Sequence, residues 1–180
     1  IQRLASSENP HNQRHAEAVA DAVWKRLDIP VCWENPILSN KTGRDLVRQA
    51  VTETWQAASK LVFKGWVACS EENAGIRIQI TDKKEIGPHT KGLGRQLNAK
   101  PNGMVLNFTF QNWGEDCQQK VNYCIKTIAV HEFGHAIGLA HEQNRADAPG
   151  ECRKLAQGPN GDWPLTPYDP DSVMNYCNEK

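Results

Sequence analysis

The 180 residues carry 21 basic and 21 acidic side chains, enough chain for one domain with a real core. A balanced charge gives no reason to expect a nucleic-acid or anionic-membrane partner. No apolar run approaches the ~20 residues of a membrane span, so neither nucleic-acid binding nor membrane insertion is expected.

The chain opens on polar IQRLASSENP, which has no hydrophobic stretch of the signal-peptide kind. If the protein is exported, the targeting segment has already been removed or was never included in this sequence. Asn9-Pro10 is a good helix opening, because Asn caps and proline is tolerated at the first helical position. Ala16, Val19, Ala20, Val23, Trp24 and Leu27 then recur at helical steps, predicting a helix that Asp28-Ile29-Pro30 stops. Val31-Cys32-Trp33 reads as a short strand. Thr42-Gly43-Arg44-Asp45 resembles a capping box with Asp in place of Glu, and an amphipathic helix is expected from there to about Lys60.

Leu61 to Val67 is an apolar run of β type. Ile76, Ile78 and Ile80 alternate with polar residues, the period of a half-buried strand. Met104 to Phe110 predicts another strand after the turn-like Lys100-Pro101-Asn102-Gly103. A third helix is expected from Val121 to about Leu139. Beyond Asn144 the chain is rich in Gly, Pro, Asp and Asn and reads as irregular. The sum is a sheet with helices packed on it and a small irregular lobe. The six cysteines form no CxxC pair, so three disulfides in an oxidising compartment are expected, with the pairing open.

Residues 131–142 read HEFGHAIGLAHE. On a helix His131 and His135 lie one turn apart, about 6 Å along the axis and about 40° around it, close enough to share a tetrahedral zinc. Glu132 is rotated by about 100° from His131 and flanks the metal, where a base would take a proton from activated water. His141 would lie roughly 120° off the direction of His135 if the helix continued. Gly138 removes that obstacle, since glycine takes a left-handed conformation and turns the chain back. Three neutral histidines leave one zinc position open, the catalytic arrangement. HExxH alone arises by chance in about one such sequence in a hundred, and the added Gly and His lower that to a few in a hundred thousand, roughly.

HExxHxxGxxH followed by a methionine turn is the metzincin signature, and the second piece is present at Ser172-Val173-Met174-Asn175-Tyr176. Within that clan the chain most resembles the astacin family, through His141-Glu142-Gln143-Asn144-Arg145 and through Ser172, Met174 and Tyr176. Gly94-Arg95-Gln96 is similar to a segment near the substrate-binding edge of astacins. The resemblance implies an α+β zincin-like fold with a twisted, mixed five-stranded sheet, packed helices and a zinc cleft. It implies one catalytic domain over 1–180, with subdomains at about 1–138 and 139–180. One catalytic Zn2+ would be held by His131, His135 and His141, with Tyr176 as a further ligand at rest or an oxyanion donor. Met174 would form the floor beneath the histidines. The matches concentrate in 131–145 and 168–176. The chain departs from the astacin pattern in the cysteine positions, in Leu139, and in lacking a helix after the methionine turn before Lys180.

Glu142 has two readings: the acid that receives a mature N-terminus in astacins, or a partly buried partner of Arg145. Arg95, Arg145 and Arg153 are basic candidates for a substrate pocket, with solvated surface charge the plainer account of each. His11, His15 and His89 lack ligand spacing. The expectation is therefore a secreted, monomeric zinc endopeptidase acting on proteins or peptides, Glu132 serving as general base. Two other readings compete: a zinc-stabilised interaction or toxin module without turnover, and a hydrolase of peptidoglycan amides. An intact Glu132 argues against the first, and the long second half of the motif against the second.

Overall fold

A computed structural model describes residues 16–113 and 115–177. Its centre is a five-stranded sheet of order β3-β2-β4-β6-β5, built from β2 (Asp28–Trp33), β3 (Val62–Ala68), β4 (Ile76–Ile80), β5 (His89–Thr90) and β6 (Met104–Leu106). The β2, β3, β4 and β6 pairings are parallel, and β5 runs antiparallel along β6 at the edge. This is the mixed sheet with packed helices that was expected. Ile29, Val31, Ile76, Ile78, Met104 and Leu106 are buried and meet α1 (Lys41–Val51) and α3 (Val121–Ala136) in one core with Val47, Val51, Ala129 and Phe133. Phe133 packs edge-on to Phe63 at 5.1 Å and stacks on Trp66 at 5.7 Å between centroids. The helix carrying the histidines is thus anchored to the sheet by its opposite face.

Pro30 lies inside β2 rather than ending a helix. It pairs with Lys64 on one side, while pairing with β4 begins only at Val31, so its missing N–H costs no ladder bond on the β4 side. The helix predicted before it does not form in the described residues, and its proposed opening at Asn9-Pro10 lies outside them. Glu17–Ala18 is instead strand β1, paired with β7 (Trp163–Pro164), and Ala20–Ala22 is a single 3-10 turn. The apolar side chains are spent on tertiary contacts: Trp24 donates its indole N–H to the Ala136 carbonyl at 2.7 Å, satisfying the end of α3.

Three further expectations shift. The capping box at Thr42–Asp45 is replaced by a helix start at Lys41, whose ammonium pairs with Asp45 at 2.6 Å. The helix then widens into a π turn over Thr52–Gln56. Of the strand expected over 104–110 only Met104–Leu106 pairs. The rest wraps around Asp82, whose carboxylate accepts from Asn107, Thr109 and the Gln111 N–H. A short helix α2 (Glu115–Gln119) precedes α3 and is tied to it by Cys117–Cys124. The remaining cysteines pair as Cys32–Cys69 and Cys152–Cys177. The latter fastens α4 (Gly150–Arg153) to the segment just after Tyr176. No helix among the described residues is long and apolar enough to cross a membrane.

Candidate metal centre

The site begins with the way α3 ends. Ala136 is its last helical residue and Gly138 takes φ +107°. Gly138 N–H reaches His135 O at 2.9 Å and Leu139 N–H reaches Gly134 O at 3.0 Å, the paired closing bonds of a left-handed glycine cap. The freed Gly138 carbonyl accepts from Val19 at 2.9 Å, and Ala140 N–H donates to Glu17 O at 2.9 Å. Strand β1 therefore holds the turn that brings His141 back towards His131 and His135. The expected role of Gly138 matches this geometry.

All three histidines are nearly buried, at 7 %, 7 % and 9 % exposure for His131, His135 and His141. Each commits Nδ1–H to a backbone carbonyl: His131 to Val173 at 2.8 Å, His135 to Leu139 at 2.9 Å, and His141 to Gln157 at 2.9 Å. That fixes the tautomer and leaves every Nε2 as a bare acceptor. The ligand atoms lie within 4.8 Å of one another, and the Nε2 atoms of His135 and His141 are 3.1 Å apart. Two lone pairs so close cannot hydrogen-bond each other, so a shared cation is what satisfies them. Burial drives His131 to a pKa of about 4 and His135 to about 3, and also lowers His141. The imidazoles are thus neutral at neutral pH, the ligand form. The donor set fits zinc.

Glu132 sits on the next side of the helix, 4 % exposed, with Oε2 buried and lacking any hydrogen-bond partner among the described residues. Burial raises its pKa to about 8. Tyr176 approaches from the other side: its hydroxyl stands 3.1 Å from His131 Nε2 and its ring stacks on His131 at 5.0 Å. It is 50 % exposed, and burial of its hydroxyl, then the Glu132 carboxylate, raises its pKa. Met174 is fully buried below. A Cβ on Gly134 would collide with its sulfur, so glycine between the two helical histidines is what lets the methionine turn close against α3.

The residues that follow His141 stitch this site together. Glu142 is fully buried; its Oε1 accepts from Asp169 N–H at 3.0 Å and stands 3.3 Å from Arg145. Burial raises its pKa to about 7. This is the Arg145-partner geometry, and the residues that would test an N-terminal partner lie outside the described ones. Gln143 Oε1 accepts from Tyr176 N–H at 3.1 Å. Arg145, expected at the surface, is 3 % exposed and grips Asp147 with two bonds of 2.8 Å. Arg95 donates to the Asp21 carbonyl and Arg153 is exposed. His89 lies in β5 with Nδ1 bonded to Gly87 O, and His11 and His15 lie outside the described residues. Sequence reasoning missed the second layer altogether, namely the carbonyls of Val173, Leu139 and Gln157, because a backbone acceptor leaves no mark on residue identity.

Comparison with known proteins fits this geometry. A search of solved structures finds myroilysin, with a TM-score of 0.61 at 20 % identity over 88 % of this chain and 82 % of that one. A second myroilysin structure gives 0.57 at 19 % identity, covering 89 % and 77 %. Both show a shared fold. Among curated proteins the chain is 28 % identical over 123 residues to interstitial collagenase of Bos taurus, covering 61 % of this chain and 26 % of that protein. It is 26 % identical over 125 residues to neutrophil collagenase of Homo sapiens, covering 67 % and 26 %. The chain thus spans about a quarter of the length of these relatives. The family model described as matrixin, peptidase M10, matches residues 24–148. That corrects the finer resemblance: the metzincin clan stands, while the matching family within it is matrixin rather than astacin. With the match spanning more than half of its length and three histidines arranged for zinc, this chain belongs to the matrixin family of zinc metallopeptidases.

Proposed function

We propose that the protein is a secreted endopeptidase in which Glu132 is the general base and Tyr176 the oxyanion donor. The observation that carries this reading is the bare, buried Glu132 Oε2 beside three converging Nε2 atoms. A purely structural metal site needs no base and closes its fourth position with another ligand. His131, His135 and His141 would hold the zinc, which when bound would supply a water of lowered pKa and a Lewis acid for the scissile carbonyl. Glu132, whose buried Oε2 has no other hydrogen-bond partner among the described residues and whose carboxylate form a cation on the histidines would favour, takes the proton as attack begins and delivers it to the leaving nitrogen. The Tyr176 phenol, a neutral donor, turns from His131 to the developing oxyanion.

An extended protein or peptide substrate would add its backbone to the open side of β5, the sheet edge that packs against α3. The 3-10 turn Gly94–Leu97 continues from that edge, close to the stretch expected from sequence. Three disulfides support an oxidising destination, and we treat the catalytic unit as a monomer with its cleft between residues up to about 138 and those from 139 on. The test is Glu132→Gln assayed on denatured casein. It should retain zinc and lose about 10²–10⁴-fold in kcat, whereas turnover at the wild-type rate would remove Glu132 from the mechanism.

A further inference from the structure

The three histidines are not held equally. The acceptors for His131 and His135 belong to segments locked into the protein: Val173 next to buried Met174, and Leu139 in the glycine cap. The acceptor for His141 is the carbonyl of Gln157, an exposed residue in a run of exposed residues from 153 to 160. A loop of that kind would not by itself hold an imidazole in one orientation.

One side chain supplies the missing restraint. Asn144 Oδ1 accepts the Gln157 N–H at 3.0 Å, and its Nδ2 donates to Gln157 O at 2.9 Å and to Pro159 O at 3.2 Å. Both backbone groups of Gln157 are thus fixed by a residue three places after His141. The Gln157 carbonyl accepts from Asn144 and from His141 Nδ1–H together. Beyond it Gly158, at φ +71°, lies so close that a Cβ there would stand 3.7 Å from His141 Nδ1. Further along, the loop backbone is fastened again at Gly161, which bonds the Glu17 carboxylate, and at Asp162, whose N–H donates to Ala18 O at 3.1 Å.

We propose that Asn144 is a positioning residue for the metal centre, holding Gln157 so that its carbonyl keeps His141 in the tautomer and orientation that aim Nε2 at His131 and His135. The inference rests on the three-histidine zinc reading and deepens it. Partners of this kind govern metal affinity by about 10–100-fold.

The test is zinc affinity of the metal-free protein, measured by competition with a chromophoric chelator. Asn144→Ala should bind zinc about 10–100-fold more weakly with the metal-free unfolding temperature close to wild type. Placed on a His141→Ala background, the same substitution should cause no further loss, because the ligand it positions is gone. Asn144→Asp keeps the acceptor for Gln157 N–H but sets a carboxylate oxygen against the Gln157 and Pro159 carbonyls, and should also weaken zinc. That variant decides the matter by the same criteria if the alanine variant does not fold. Wild-type affinity in either folded variant overturns the proposal, as does an equal loss on the His141→Ala background. Failure of wild type to bind zinc at all would instead remove the metal reading on which the proposal stands.

Discussion

The sheet half and the cleft half of this molecule treat buried polar groups in opposite ways. Under the sheet, Arg77 forms a two-pronged pair with Glu34 at 2.9 and 3.0 Å and donates a third bond to Ser70 O at 2.6 Å, while Glu34 also accepts from Asn102 N–H at 2.9 Å. The Arg77 bond, first among the causes, pulls the Glu34 pKa below its ordinary value. Around the cleft, the buried side-chain atoms without a partner among the described residues are all found: Glu17 Oε2, Glu132 Oε2, Glu142 Oε2, Gln143 Nε2 and Arg145 Nη1. The carboxyls there are raised, to about 8 for Glu132 and about 7 for Glu142. A satisfied buried network specifies a fold, whereas an unsatisfied one is destabilising and persists where chemistry needs reactive groups.

The contrast predicts that polar substitutions in the two halves have different currencies. Loss of any helical ligand, for example His135→Ala, should abolish both zinc binding and turnover while the sheet stays folded, as circular dichroism and metal analysis would show. Glu132→Gln comes next, with zinc retained. Tyr176→Phe should lower kcat by about 10²–10³-fold, the usual cost of one oxyanion donor, with KM and unfolding temperature nearly unchanged. A loss confined to KM would make Tyr176 a binding residue instead. Smallest in activity is Glu34→Gln, which should cost about 3 kcal/mol of stability by stranding the Arg77 guanidinium and leave zinc affinity as it was.

The pH dependence of Glu34 has a definite sign. Its folded pKa lies below the unfolded value near 4.5, so its stabilisation is complete above that value and is lost as pH falls through the folded pKa. Wild type should therefore lose stability on acidification below about pH 4.5, and Glu34→Gln should show a smaller loss over the same window. Equal acid sensitivity in the two proteins would place the titrating group elsewhere.

What could be read in advance follows the same division. The convergence of His131, His135 and His141 was legible because metal ligation demands a residue type at a fixed offset, and the turn at Gly138 because a left-handed conformation favours glycine; the roles given to Glu132 and Met174 are proposals drawn from the same spacing. The strands from Leu61 and Ile76 were legible from period and composition. The first helix was misread because the steps from Ala16 to Leu27 satisfy a helical period, yet pairing of β1 with β7 and the bond from Trp24 to Ala136 decide the conformation. The strand at 104–110 was overextended because Asp82, distant in sequence, gathers residues 107–112 into a loop. Arg145 looked like a surface cation, since residue identity does not show that Asp147, two places on, and the distant Thr166 carbonyl enclose it.

The most direct test of the central claim is zinc content measured together with cleavage of denatured casein, before and after chelation and after zinc is restored. The account predicts one zinc per chain, cleavage that disappears with the metal, and recovery when zinc returns. Cleavage indifferent to chelation, or a full complement of zinc in a chain that cuts no protein substrate, would contradict it.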